Sequence, residues 1–162
     1  MKMFTFKGGI FPSEHKDLSR DCPITEAFPS TKTVTIPVTM GGAPNETVVK
    51  VGDRVVKGQV IAKSDKYMSA PVHASVTGIV KKIGTHMVTG NTEVPCITIE
   101  ADGTDETSFM EPLDPFTCDE KDALQRVRDA GIVGMGGASF PAAVKLNPPE
   151  GTEIEYVILN AA

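Results

Sequence analysis

Four glycines fall within seven residues in Gly131-Ile132-Val133-Gly134-Met135-Gly136-Gly137, and Ala138-Ser139-Phe140-Pro141 follows directly. Main chain without side chains, leading into a helix start, presents N–H groups and the positive end of a helix dipole, which suits a phosphate. It also lets a flat ring lie against the backbone. The run is not a dinucleotide fingerprint, because a helix pattern precedes it and Ser139 stands where the third glycine belongs. Nor is it a P-loop, since no Gly-Lys-Ser/Thr follows. Lys145 lies a turn or more into the next helix pattern, placed either to reach a phosphate or to face solvent. Taken as residues alone, a structural turn accounts for the run as well as a ligand loop does.

The remaining reactive side chains are scattered. His15, in a polar loop, reads as exposed or capping; His73, in Ala70-Pro71-Val72-His73-Ala74, as packed or hydrogen-bonded; His86 as exposed. Cys22, Cys96 and Cys118 are odd in number and far apart, which suggests a reducing compartment and offers no metal or redox pair.

The elements that must position these residues are short. At 162 residues and 17.2 kDa, with 40% hydrophobic and 23% charged residues, the chain is of ordinary globular composition, which excludes disordered, collagenous and disulfide-scaffold classes. Sixteen basic against 21 acidic residues and no Lys/Arg-rich run argue against a nucleic-acid partner. Met1–Gly8 lacks the apolar run of a signal peptide, and Ala130–Val144, uncharged but broken by glycines and Pro141, is too short to span a membrane. A soluble, cytosolic-type chain is expected.

Residues 1–30, interrupted by Gly8-Gly9, Pro12, Pro23 and Pro29, read as an extended arm. Residues 31–100 read as short strands: Thr33–Val38, Val48–Val51, Arg54–Val56, Gln59–Lys63, Val76–Ile83 and Pro95–Glu100. Turn signals at Gly41-Gly42, Gly52-Asp53, Lys57-Gly58 and Gly90-Asn91 leave no room for crossover helices, so these strands must pair antiparallel in a small sandwich or barrel. From Lys50 to Lys82 there are seven basic and two acidic residues, and from Glu100 to Glu120 eight acids and no base. Both stretches read as solvated surface, with residues 101–116 a linker by composition, or as a basic barrel docking an acidic partner, within the same chain or outside it. In residues 117–162, Thr117-x-x-Glu120 reads as a capping box. It opens a helix with Ala123, Leu124, Val127 and Ala130 on one face, ended by Gly131. A second helix starts at Pro141 and stops at Asn147-Pro148-Pro149, and Ile154–Leu159 reads as a buried strand. This is the opening of an α/β layer.

Two resemblances sharpen the reading. Val49–Ile61, two tight turns around a very short strand, with the later Ala70-Pro71 and Gly78-x-Val80, resembles the barrel-sandwich hybrid of biotinyl and lipoyl domains. The carrier-lysine position of that fold corresponds to Ser64-Asp65-Lys66-Tyr67-Met68-Ser69, so a carrier modified on Lys66 is one alternative; a non-catalytic docking or assembly module without flavin is another. The run from Gly131 to Pro141 with Lys145-Leu146 looks like the flavin loop of the NADH-oxidising subunit of respiratory complex I. With Gly8–Lys16, Val49–Gln59 and Ser69–Ser75 in the same order, the chain resembles the C subunit of the Rnf (Rsx) electron-transport complex from end to end.

That resemblance implies a mixed β and α/β fold, a barrel-sandwich hybrid followed by the truncated beginning of an FMN-binding α/β domain. It implies a peripheral electron-transfer subunit, on the cytoplasmic side of the bacterial inner membrane, of an ion-translocating NADH:ferredoxin oxidoreductase. Its partners would be ferredoxin and the other subunits. By the same resemblance Gly134, Gly136, Gly137 and Ala138 line FMN with their backbone, Phe140 sits near the nicotinamide side, Lys145 meets the FMN phosphate, and Asn160 begins the next flavin-contacting segment. The family continues past Ala162 with more of the sheet and with iron–sulfur clusters, so the chain is expected to be an N-terminal fragment, inactive alone and a weak FMN binder at best.

Overall fold

A computed structural model of the chain describes residues 7–10, 13–25 and 31–158. It divides into two compact units, Met1–Ser30 and Thr31–Ala162. In the first, the Lys16 carbonyl accepts from the Ser19 and Arg20 amides (3.1 and 2.8 Å), forming a single turn. His15 is exposed, in a left-handed conformation with φ 51°.

Among the described residues, the second unit holds seven strands and two helices. The strands are β1 (Thr33–Pro37), β2 (Glu46–Thr47), β3 (Arg54–Val55), β4 (Val60–Lys63), β5 (Val72–His73), β6 (Gly78–Val88) and β7 (Thr92–Ala101). They form one sheet of order β1-β7-β6-β3 and another of order β2-β4-β5, and every strand pair is antiparallel, as the tight turn spacing requires. Alternation explains the faces. Val34, Ile36 and Val38 turn inward from β1, while Thr35 faces out and shares a hydrogen bond with Thr98 of β7 at 3.2 Å.

Between the sheets Val38, Val49, Val55, Ile61, Ala62, Val72, Ala74, Val80, Ile97 and Ile99 make one aliphatic core. Branched aliphatic side chains suit a half-buried pleated surface, so the barrel is held by packing of the residues that also favour strands.

Three sequence expectations need correction. Val48–Val51 is not a strand: the ladder is Glu46–Thr47, extended only by the Val48 amide donating to the Ile61 carbonyl (3.0 Å), and from Lys50 a turn takes over, the Lys50 amide donating to Asp53 Oδ2 (2.8 Å) and the Asp53 amide to the Lys50 carbonyl (3.1 Å). The Val76–Ile83 and Pro95–Glu100 strands run well beyond their expected ends, into a ribbon that reverses at Gly90 (φ 86°) and Asn91 (φ 58°). Mixed residues such as His86 and Glu93 hide that ribbon from periodicity, because its strands need pair only each other there. Finally, Ile154–Ile158 forms no strand and is exposed, Val157 and Ile158 by about nine-tenths, since no neighbouring strand lies beside it among the described residues. Leu159 lies outside the described residues.

The acidic stretch after β7 is strapped to the basic barrel of the same chain. Arg54 holds Asp102 at 3.0 Å and Glu106 at 2.8 Å. The Ser108 amide donates to the Lys57 carbonyl (2.7 Å), and the Thr77 hydroxyl to the Glu106 carbonyl (2.6 Å). Hydrogen bonds from the Thr104 hydroxyl and amide, and then from Arg54, pull the Asp102 carboxyl from 3.8 to about 2.

Candidate functional site

The glycine run is delivered by α1 (Glu120–Asp129). Its N-cap is Asp119, whose carboxylate accepts from the Lys121 amide at 2.8 Å, two residues beyond the Thr117 expected from the capping-box pattern. Thr117 is drawn instead into a turn, its amide donating to the Asp114 carbonyl at 3.3 Å. Acids in the first turn and Arg126 and Arg128 in the last complement the helix dipole. The half-buried face is Ala123, Leu124, Val127 and Ala130, as the spacing indicates.

The helix ends at Gly131 in the left-handed region (φ 66°), where a Cβ would stand 2.3 Å from the Pro71 carbonyl oxygen and 3.3 Å from the His73 ring. Only glycine satisfies both the turn and the approach. Burial holds the His73 imidazole below its usual 6.5, against the opposing pull of the Asp129 backbone carbonyl. The folded state therefore favours neutral His73, and stability falls as pH drops below 6.5 because the unfolded chain takes up the proton first. A His73→Gln variant is expected to lose this part of the acid sensitivity, which thermal unfolding across that pH range reads directly.

Beyond Gly131 the chain makes a small closed loop. Val133 pairs with Pro141, the Gly134 amide donates to the Phe140 carbonyl at 2.9 Å, and the Ala142 amide to the Ile132 carbonyl at 2.9 Å. Gly136, Gly137 and Ala138 lie at its exposed tip, and the Phe140 side chain is partly exposed. The second helix, α2, is only Ala142–Lys145; Lys145 is its last residue and is exposed. At its N-terminus Pro141 has no N–H and that of Ala142 is already bonded to Ile132, so neither of these two positions offers a free amide to a phosphate. Asn160 lies outside the described residues.

The loop rests on two segments of the barrel that the sequence marks only as turns. A Cβ on Gly41 (φ 58°) would stand 2.3 Å from the Ser139 carbonyl oxygen and 2.6 Å from that of Ala138. A Cβ on Gly42 (φ 80°) would lie 2.3 Å from the Met68 carbonyl oxygen and 3.6 Å from the ring of Pro141, which is fully buried. Buried Asn45 joins the two segments, its side-chain amide donating to the Val38 carbonyl (2.9 Å) and the Ala70 carbonyl (2.7 Å). Nothing local marks these contacts; those of Gly41 and Gly42 with Ala138–Pro141 join residues nearly a hundred positions apart. Lys66 is exposed in the β4–β5 connection, its carbonyl accepting from Arg128 at 2.8 Å and from the Ser69 hydroxyl at 2.5 Å.

A groove of about 570 Å³, lined among others by Gln59, Lys63, His73, Met110 and Arg128, lies between the barrel and α1 and includes no residue of the loop. The loop is an open platform, and its glycines test what it accommodates. At Gly136 and Gly137 a Cβ would meet nothing within 4 Å, and neither residue has positive φ. Among the described residues, neither packing nor backbone geometry calls for glycine at these two positions. Bare main chain there fits a flat group laid on it from outside, such as an isoalloxazine ring, with Arg128 and Lys145 as the cations nearest in sequence on either side.

Residues 4–104 match the RnfC barrel sandwich hybrid domain, and residues 127–162 match the Nuo51 FMN-binding domain. The chain is 42% identical over 163 residues to the C subunit of the proton-translocating ferredoxin:NAD(+) oxidoreductase complex of Clostridium ljungdahlii, covering 98% of this chain and 35% of that protein. It is 40% identical to the C subunit of the ion-translocating oxidoreductase complex of Rhodobacter capsulatus, covering 100% of this chain and 32% of that protein. It is 36% identical to the C subunit of the Na(+)-translocating ferredoxin:NAD(+) oxidoreductase complex of Acetobacterium woodii, covering 100% and 37%. The chain thus spans about a third of the length of these relatives. Among the described residues no helix is long and apolar enough to cross a membrane. With a two-sheet barrel under the first match and a bare glycine loop within the second, the chain belongs to the RnfC family.

Proposed function

We propose that this chain supplies one wall of the FMN site of an electron-transfer subunit in an ion-translocating NADH:ferredoxin oxidoreductase complex. The observation that carries the reading is the pair Gly136 and Gly137, bare where nothing in the fold requires it. Gly134 and Ala138 flank them and complete the backbone surface for the flavin, Phe140 stands beside it on the nicotinamide side, and Lys145 and Asn160 serve the phosphate and the adjoining flavin edge. Bound FMN supplies the hydride and electron chemistry; these residues hold it, orient it and keep side chains off its face. NADH, ferredoxin and the other subunits of the complex are the partners, and the subunit sits peripherally on the cytoplasmic side of the membrane. On this reading any iron–sulfur clusters are held outside these 162 residues, since Cys22, Cys96 and Cys118 lack the spacing to hold one.

FMN titration followed by quenching of flavin fluorescence tests the proposal, on this chain and on a protein of the relatives' full length that carries these residues. The longer protein is expected to bind FMN, and the 162-residue chain to bind at least tenfold more weakly, because its loop is open on one side. A folded longer protein that binds no FMN would overturn the proposal.

A further inference from the structure

Beyond its own closing hydrogen bonds, the glycine loop is seated on the barrel. Gly131 rests on Pro71 and His73, Pro141 is buried beside Gly42, and the Ala138 and Ser139 carbonyls lie over Gly41. Ser139 itself is held with φ 50°. A non-glycine residue in that region costs energy and persists only where its surroundings over-determine it. Here the over-determining neighbour is the Met40–Ala43 turn. The Ala43 amide donates to the Met68 carbonyl at 2.6 Å, and Asn45 ties the chain on both sides of that contact, so the turn cannot drift from the β4–β5 connection.

We propose that Gly41 is a positioning residue for the flavin loop, through which the barrel-sandwich domain sets the height and tilt of the backbone surface under the flavin. This rests on the flavin reading above. The barrel, on this view, is not a spacer beside the redox domain but part of its flavin site's support. A side chain at Gly41 would push the Ala138–Ser139 carbonyls outward and move Gly136 and Gly137 with them.

The test compares Gly41→Ala with Gly52→Ala. Gly52 also has positive φ (97°), but a Cβ there meets nothing within 4 Å, so it reports the backbone penalty without the contact. Amide hydrogen exchange over residues 134–140, measured on this chain without flavin, is expected to quicken at least tenfold in Gly41→Ala and to stay unchanged in Gly52→Ala. In a full-length protein carrying these residues, FMN affinity is expected to fall at least tenfold and the flavin midpoint potential to shift in Gly41→Ala alone. Pro141→Ala, which loosens the loop's seat while leaving the barrel's own turns intact, should reproduce these effects if Gly41→Ala folds poorly. Unchanged loop exchange in both variants, with FMN bound normally by the parent, would overturn the positioning role alone. No FMN binding by the parent would overturn the flavin reading and this proposal with it.

Discussion

Gly136→Leu and Gly137→Leu are expected to abolish flavin binding while leaving the fold intact. The two halves of that result have separate physical causes. A Cβ at either position meets nothing within 4 Å, and neither backbone is in the left-handed region, so the folded chain accepts the side chain without strain. Removing a glycine also restricts the unfolded chain, which by itself raises stability by about 0.4–1 kcal/mol. The unfolding midpoint should therefore stay the same or rise slightly. A leucine standing on the loop would occupy the layer in which a ring must lie to touch the main chain. FMN affinity should fall roughly a hundredfold or more, about 2.7 kcal/mol in binding. Paired measurements of Tm and FMN Kd check both halves. A variant that binds FMN normally would show that the glycines are bare for another reason.

Ile97→Ala should give the opposite pattern, a loss of fold that takes the site with it. Ile97 is fully buried in β7, opposite Ile36 of β1 and Ile83 of β6. Truncation removes the transfer energy of the lost methylenes and leaves a cavity that two paired neighbouring strands are poorly able to close. The expected cost is about 4 kcal/mol, a large share of the 5–15 kcal/mol that holds an ordinary domain together. Chemical denaturation reads it as a lower midpoint with an unchanged m-value. The glycine loop rests on barrel turns through Gly41, Gly42 and His73, so its amide protection should fall in parallel. A loop unaffected by a barrel destabilised this far would mean that the two do not act as one unit.

The barrel is legible in the sequence because its signals are local. Alternating Val and Ile mark β1 and β7, glycine and Asn-type turns mark the reversals, and the tight spacing of those turns excludes parallel pairing. The α1 face and its stop at Gly131 follow from helical spacing in the same way. Signals that depend on distant neighbours mislead. Ile154–Ile158 has strand composition but no strand beside it among the described residues. At the site, the glycine run announces itself, but the run alone does not tell a turn from a ligand surface. That distinction comes from the space around each glycine: Gly131 is needed by the fold, whereas Gly136 and Gly137 are not. Gly41 and Asn45 carry no local mark of their role, because the groups they serve lie far along the chain.

The most direct test of the flavin surface is to follow backbone amide resonances by NMR while FMN is added to isotopically labelled protein. If the glycine loop carries the flavin, the amides of Gly134, Gly136, Gly137 and Ala138 shift first and most, saturating with the ligand. Shifts concentrated instead around Gln59, His73 and Arg128, with the glycine loop unmoved, would place the flavin in the groove between barrel and helix and contradict the assignment.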